Sequence, residues 1–393
     1  MKDILIRNAH VLPMEGAAYE NGYVLVRNGT IAAVGDMSNL PINSEAEEID
    51  AAGGWVMPGL IDIHSHLGLY EDGLGFEGAD GNEDTDPVTP HLRVIDGINP
   101  MERAFRESLE AGVTAVVVSP GSANPIGGQL AAIKTWGRRI DDMVIVEPVG
   151  IKFAFGENPK GVYHDKEETP VTRMATAALI RENLRKAQEY HDRKRKALEN
   201  EEEDLPDFDA KLESLELLIT GKLPAHIHAH RADDIFTALR ICKEFGVKPV
   251  LVHGTEGHLV ADLLAEEGVP VVSGPYMTDR SKPELQNLTE AAPGLLKTAG
   301  VPVAITTDHP EIPVKFLRLA AGVAVQAGMD EMDALRAITI DAAKIAGLDH
   351  RIGSLVPGKD ADVLVLSGYP FDFRSRVQAV LSSGAIAYRR DNI

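Results

Sequence analysis

What most constrains this chain is a series of short Val/Ile-rich runs, several of them closing on a residue type that can bind a cation or move a proton. Val56-Met-Pro-Gly-Leu-Ile-Asp-Ile-His-Ser-His66 opens the series. Val113-Thr-Ala-Val-Val-Val118, the stretch 144–155, Pro224-Ala-His-Ile-His-Ala-His230, Pro249-Val-Leu-Val-His253, Val269-Pro-Val-Val-Ser273 and Val301-Pro-Val-Ala-Ile-Thr-Thr-Asp308 continue it. Helix-like segments separate them. Continuous apolar strands alternating with helices predict a parallel sheet buried on both faces. Gly127-Gly-Gln-Leu-Ala-Ala-Ile-Lys134 supplies an eighth strand. The expected α/β architecture is therefore a TIM-type (β/α)8 barrel with its chemistry at the strand C-terminal ends. An open doubly wound sheet is the alternative, disfavoured by the strand count and by polar residues on so many strand ends.

Residues 1–57 read differently, as short strands with turns between them, including an Asn28-Gly29 hairpin signal. Such a meander needs further strands to cover its apolar face. Ala361-Asp-Val-Leu-Val-Leu366, Val377-Gln-Ala-Val-Leu-Ser382 and Ala385-Ile-Ala-Tyr-Arg389 supply them. The expectation is a small β-sandwich domain built from 1–57 and 353–393, with the barrel, 58–352, inserted between the two pieces.

Within the barrel two inserts stand out. The stretch 68–100 is rich in Gly, Asp and Glu and directly follows His66; a loop of that length in a compact domain is commonly functional. The stretch 169–223 reads as a long charged helix over about 173–200, capped by Thr172, then an acidic hinge beginning Glu201-Glu-Glu-Asp, then a shorter helix. Its charges suit a solvated helix face. The insert as a whole suits a lid or an oligomer contact, which leaves room for a homo-oligomer.

Composition narrows the function classes. A formal net charge of −21 argues against a nucleic-acid partner. No apolar run reaches membrane-spanning length, and no export signal opens the sequence. The single cysteine, Cys242, suits a reducing cytoplasm, so the expected setting is cytoplasmic and the expected partner a small molecule.

The candidate ligands, in chain order, are His64, His66, Lys152, His228, His253 and Asp308. On a strand, alternate side chains share a face, so His64 and His66 point together, as do His226, His228 and His230. Neutral imidazoles and a carboxylate are what Zn²⁺ and its transition-metal neighbours bind. Any one of these residues alone has an ordinary structural explanation: a histidine satisfying a carbonyl, or Asp308 capping a helix. Their recurrence at strand ends favours a metal site.

These motifs resemble the amidohydrolase superfamily of metal-dependent hydrolases. The likeness rests on Pro-Gly-Leu-Ile-Asp-Ile-His-Ser-His, Gly112-Val-Thr-Ala-Val, His253-Gly, Thr307-Asp308 and the closing Gly-Ser-Leu-Val-Pro-Gly-Lys-Asp-Ala-Asp-Val-Leu-Val-Leu. The nearer likeness is to the imidazolonepropionase-like branch, including members that share Gly156-Glu-Asn-Pro-Lys160 and Thr172-Arg-Met. The resemblance implies two metal ions, Zn²⁺ or else Mn, Fe or Co. One would be held by His64 and His66, the other by His228 and His253. Lys152, as its carbamate, would bridge them, with Glu157 as the alternative bridge. Asp308 would be both ligand and proton carrier. The resemblance selects His228 from its strand, casts His230 as a substrate contact and leaves His226 packed inside the barrel.

The implied reaction is hydrolysis of an amide, lactam or peptide-like C–N bond by a metal-activated hydroxide. Lys160, Arg173, Arg231, Arg280 and Lys282, on strand-end loops, predict a carboxylate-bearing substrate, because guanidinium forks suit carboxylates; the competing expectation is that they pair with loop acids such as Glu77, Asp80 or Asp234. A mononuclear deaminase and a non-catalytic barrel are the alternatives. A deaminase would carry a glutamate just after the strand-five histidine. Here His228 is followed by Ala-His-Arg-Ala-Asp-Asp, which counts against a deaminase and against imidazolonepropionase itself.

Overall fold

The structure, a computed structural model, describes residues 2–40, 46–200 and 203–390. Glu201 and Glu202 of the acidic hinge, and the last three residues of the chain, lie outside them. The first five strands are β1 (Ile4–Val11), β2 (Tyr19–Arg27), β3 (Thr30–Asp36), β4 (Glu47–Asp50) and β5 (Trp55–Pro58). Next come β6 (Leu60–Ser65), β7 (Val113–Val118), β8 (Ile126–Lys134), β9 (Val144–Ala154), β10 (Pro224–Ala229), β11 (Lys248–His253), β12 (Val271–Ser273) and β13 (Val303–Ile305). The chain closes with β14 (Val363–Leu366), β15 (Val377–Ser382) and β16 (Ala385–Arg389).

Both termini build one sheet, in the order β16-β15-β14-β5-β1-β2-β3, with β4 on β1 as well. Strand β1 pairs β4 through Ile4–Arg7 and β5 through His10–Val11, so two half-sheets diverge from it. Between them Ile6, Val24 and Ile49 from one half meet Val56, Val363 and Leu381 from the other in a shared apolar core.

Strands β6 to β13 form the second sheet, in sequence order. Its inner cluster draws Ile61, Ile63, Ala115, Val117, Leu130, Val252, Val272 and Ala304 from around the ring. Ala342, Ala343 and Leu348 complete that cluster. Ile151, Ile227 and Leu251 instead pack with Ile180, Leu184, Ile235 and Leu239 of the surrounding helices. The ring closes between β6 and the segment after β13, where Thr306 Oγ1 donates to the His64 carbonyl at 2.6 Å and His66 N–H to the His309 carbonyl at 2.9 Å.

The expectation of eight parallel strands needs one correction. Strand β8 runs antiparallel to both β7 and β9. Residues 119–125 and 135–143, the two links that flank it, are shorter than the dozen or more residues a parallel crossover requires. The 169–223 insert contains a helix at Arg173–Glu199, whose N-cap Thr172 Oγ1 accepts from Ala175 N–H at 3.1 Å, and a second helix at Ala210–Ile219. Among the described residues no helix is long and apolar enough to cross a membrane.

Candidate active site

At one end of the barrel lies a cleft of about 490 Å³ whose walls include His66, His228, His230, His253, Lys282 and Asp308. The backbone explains how these side chains reach it. In β6, Asp62 pairs opposite Val116 and Ser65 opposite Val118, so the strand holds an extra residue between them. Such a bulge resets the inside–outside alternation. Ile61 and Ile63 face the interior, and past the bulge His64 and His66 do too.

In β11, His253 pairs opposite Ala229, which packs against the outer helices. Strict alternation would send His253 outward as well. Its left-handed backbone, φ 71°, turns the imidazole into the mouth instead, and Asp308 follows β13 with φ 54°. Left-handed non-glycine backbone costs on the order of 1–3 kcal/mol and clusters where function needs a side chain re-aimed.

Asp308 Oδ1 lies 3.2 Å from His64 Nε2 and 3.3 Å from His66 Nε2. Lys152 Nζ is 3.3 Å from His64 Nε2, and both residues are fully buried. Across the mouth, ligand atoms of His228, His230 and His253 lie within 4.8 Å of one another; the same holds for His64, His253 and Asp308. Outer partners fix several rings by Nδ1: Ser119 O for His66, Thr255 Oγ1 for His230 and Gly274 O for His253, each at 2.7 Å. That arrangement leaves Nε2 of each ring for the mouth, where it could meet a cation.

Burial sets the protonation states. It pushes His64, His228 and His230 well below the usual imidazole range and His253 down to about 4, so all four are neutral near pH 7. Burial also brings the Lys152 ammonium down to about 8, with Asp308 opposing the shift. For Asp308 burial acts upward, but His253, His64 and His66 outweigh it and hold the carboxyl well below its ordinary value. His226 is fully buried, and neither of its ring nitrogens is hydrogen-bonded.

Other expected site residues lie elsewhere. The Glu157 carboxylate accepts from the Glu284 N–H at 3.3 Å. Arg173, Arg231 and Arg280 do not line the cleft. Arg173 pairs with Asp234 and Arg231 with Asp233, each at 2.9 Å, and Arg280 donates to the Leu288 carbonyl at 2.7 Å. Nearby acids and a carbonyl occupy these forks, as the competing expectation for them had it. Lys282 is the one lysine or arginine among the described residues lining the cleft.

Four contributors escaped the sequence reading. Asp62 accepts from Thr306 and Thr307 and anchors β6 beside Asp308. Tyr70 and Asn82, from the 68–100 loop, form a wall of the cleft and bond each other at 2.7 Å. Glu284 is buried beside His228 and His230, with Lys282 Nζ at 2.8 Å. The only signal for it was a lysine and a glutamate two residues apart after a short strand.

A model of the amidohydrolase family matches residues 55–388. The chain belongs to the amidohydrolase family. It is 45% identical to a solved amidohydrolase from Thermotoga maritima MSB8, covering 98% of this chain and 100% of that one with a TM-score of 0.95. It is 28% identical over 412 residues to amidohydrolase tasK of Hapsidospora irregularis, covering 94% of this chain but only 41% of tasK's length. An imidazolonepropionase from Geobacillus kaustophilus is 28% identical over 394 residues, 88% of this chain and 84% of that protein. Membership makes this chain a hydrolase or deaminase of a generally metal-dependent superfamily.

Proposed function

We propose that this amidohydrolase is a metal-dependent hydrolase of small molecules that cleaves an amide, lactam or peptide-like C–N bond. One observation carries the reading: the Asp308 carboxylate stands between the His64–His66 pair and the His228–His230–His253 group, in one cleft. The donors fit divalent ions. The imidazoles are neutral, as ligands must be, and His228 Nε2 and Asp308 Oδ1 are buried without hydrogen bonds. His64, His66 and Asp308 would hold one ion and His228 with His253 the other, with Lys152 as its carbamate between them. Zn²⁺ suits this set best, with Mn, Fe or Co as substitutes.

When bound, such ions polarise a carbonyl and lower the pKa of a water. The chain's own residues do the rest. Asp308, ionised and at the mouth, accepts the proton of the attacking water and delivers it to the leaving nitrogen. Ser119 and Gly274 carbonyls hold the His66 and His253 rings in place. Lys282 is the group that would receive a substrate carboxylate, in a cleft that Tyr70 and Asn82 also line.

Hydrolytic deamination is the second reading. It is favoured by Glu284, which brings a buried carboxyl within 4.0 Å of His228 Nε2 from a different loop.

The test joins elemental analysis of gently purified protein to turnover of N-acyl amino acids, lactams and amidine rings. Two ions per chain are expected, with activity on the amides. Asp308→Asn should retain the fold and lose at least a hundredfold in kcat. Ammonia release from ring amidines alone would transfer the assignment to deamination. Metal-free protein with full turnover would end the metal reading.

A further inference from the structure

The motif Gly156-Glu-Asn-Pro-Lys160 has no part in the mechanism above, yet the fold commits it to one task. Glu157 N–H donates to Glu284 Oε2 at 3.0 Å, and the Glu157 carboxylate accepts from Glu284 N–H at 3.3 Å, a reciprocal lock. Asn158 Oδ1 accepts from Lys282 Nζ at 2.8 Å, and Asn158 Nδ2 donates to Ser122 Oγ at 2.6 Å. Gly156 must be glycine: at φ +86° an added Cβ would sit 2.8 Å from Glu284 Oε2. The motif therefore fixes one oxygen of Glu284 and leaves the other, Oε1, to face the histidines.

That second oxygen is buried, and its nearest charged partner is the Lys282 ammonium at 2.8 Å. It lies 3.6 Å from His230 Nε2 and 4.0 Å from His228 Nε2. Donors arranged tetrahedrally at the roughly 2.0–2.2 Å of Zn–N and Zn–O bonds stand about 3.3–3.5 Å apart. The His230 separation is near that spacing and the His228 separation is wider, so Oε1 would have to move inward on metal binding. His230, expected to touch substrate, is held by Thr255 in the same way that Gly274 holds His253, with Nε2 presented to the mouth.

We propose that Glu284 and His230 are ligands, and that the ion on this side of the mouth sits among His228, His230, His253 and Glu284. This rests on the metal-dependent reading above and extends it. Lys282, 2.8 Å from Oε1, is then a counter-charge; its contact with Asn158 keeps it in place when Oε1 turns to a cation. The competing role for Glu284 is to anchor Lys282 and nothing more.

The two roles separate in metal binding, without any substrate. Wild type, Glu284→Gln and Lys282→Met are compared by elemental analysis after dialysis against Zn²⁺, by chelator competition, and by the rise in Tm on adding Zn²⁺. If Glu284 is a ligand, Glu284→Gln loses one ion per chain, or binds it at least a hundredfold more weakly, while its metal-free Tm stays near wild type. Lys282→Met then keeps both ions at wild-type affinity or tighter, because a competing cation is gone. Should Glu284→Gln prove unstable when metal-free, His230→Gln must show the same loss of one ion. The proposal is overturned if Glu284→Gln holds both ions with wild-type affinity, or if Lys282→Met loses the same ion. Wild type binding no metal at all would instead defeat the metal-dependent reading itself.

Discussion

Asp62 and Thr307 join the first barrel strand to the last: Asp62 Oδ2 accepts both the Thr307 N–H at 3.0 Å and its hydroxyl at 2.6 Å. The other oxygen takes the His64 N–H at 3.2 Å and shares the Thr306 hydroxyl, 2.6 Å away, with the His64 carbonyl. One buried carboxylate thus sets the spacing between the His64–His66 pair and Asp308. Asp62→Ala would leave several buried donors unpaired, at about 1–3 kcal/mol for each group stranded. We expect a loss on the order of 3 kcal/mol in urea unfolding, together with weaker metal uptake. An unfolding midpoint equal to wild type would show that the closure does not depend on this residue.

Two glycines five residues apart, Gly156 and Gly161, should respond in opposite directions. Gly156→Ala must place a methyl against the Glu284 carboxylate, and against Asp234 Oδ2 at 3.1 Å, in left-handed backbone. A cost of about 1–3 kcal/mol follows. Gly161, inside the helix Glu157–Asp165, has nothing within 4 Å of an added Cβ. Gly161→Ala should stabilise by about 0.5–1 kcal/mol through helix propensity. Thermal unfolding of the two variants side by side checks both signs, and destabilisation by both would mean the helix tolerates no added bulk.

The barrel was legible because strands buried on both faces have to be apolar end to end, so Val113–Val118 and Lys248–His253 announce themselves. The direction of β8 was not, since an apolar run reads the same either way and only the length of its links decides. The strand-end residues His64, His66, Lys152, His228, His253 and Asp308 were visible as polar stops on apolar runs. The sequence order hid the left-handed turn at His253 and the bulge in β6, both of which depend on backbone pairing rather than residue type. Glu284 was hidden for another reason: its meaning lies in contacts with Glu157 and His230, far away in sequence. The arginines misled because a guanidinium signals a carboxylate partner without saying whether that partner is substrate or protein.

The insert supplies a pH prediction remote from the site. Lys194 pairs with Glu213 at 2.8 Å and Glu216 at 2.7 Å, tying the helix Arg173–Glu199 to the helix Ala210–Ile219. The Lys194 ammonium, with help from Tyr190, holds the Glu213 carboxyl below its ordinary value. For Glu216 burial acts upward, and the bonds from Lys194 and His191 outweigh it. A carboxyl depressed in the folded state stabilises fully above its unfolded pKa, about 4.3 for Glu, and loses that contribution as pH falls through the folded value. Glu213→Gln should therefore lower Tm at pH 7 and have little effect near pH 3. An equal deficit at both pH values would exclude ion pairing as its cause.

The group proposed to bridge two metal ions allows the most direct test by rescue. Lys152 is fully buried on β9, beside His64 Nε2 at 3.3 Å. An unpaired ammonium is costly in such a place, and burial shifts Lys152 towards the free amine, the form that reacts with CO₂. The product, a carbamate, is an anion with two oxygens and can serve two cations, which a neutral amine cannot. Glu157, the rival, already has its carboxylate on the Glu284 amide. Lys152→Ala should lose metal and at least a hundredfold in activity, with acetate or formate restoring part of both by filling the space of the missing carbamate. Bicarbonate should speed metal reconstitution of the unaltered enzyme. Glu157→Gln, which keeps an oxygen for the Glu284 amide, should retain both ions. If Lys152→Ala holds two metals unaided while Glu157→Gln loses them, the bridge belongs to Glu157.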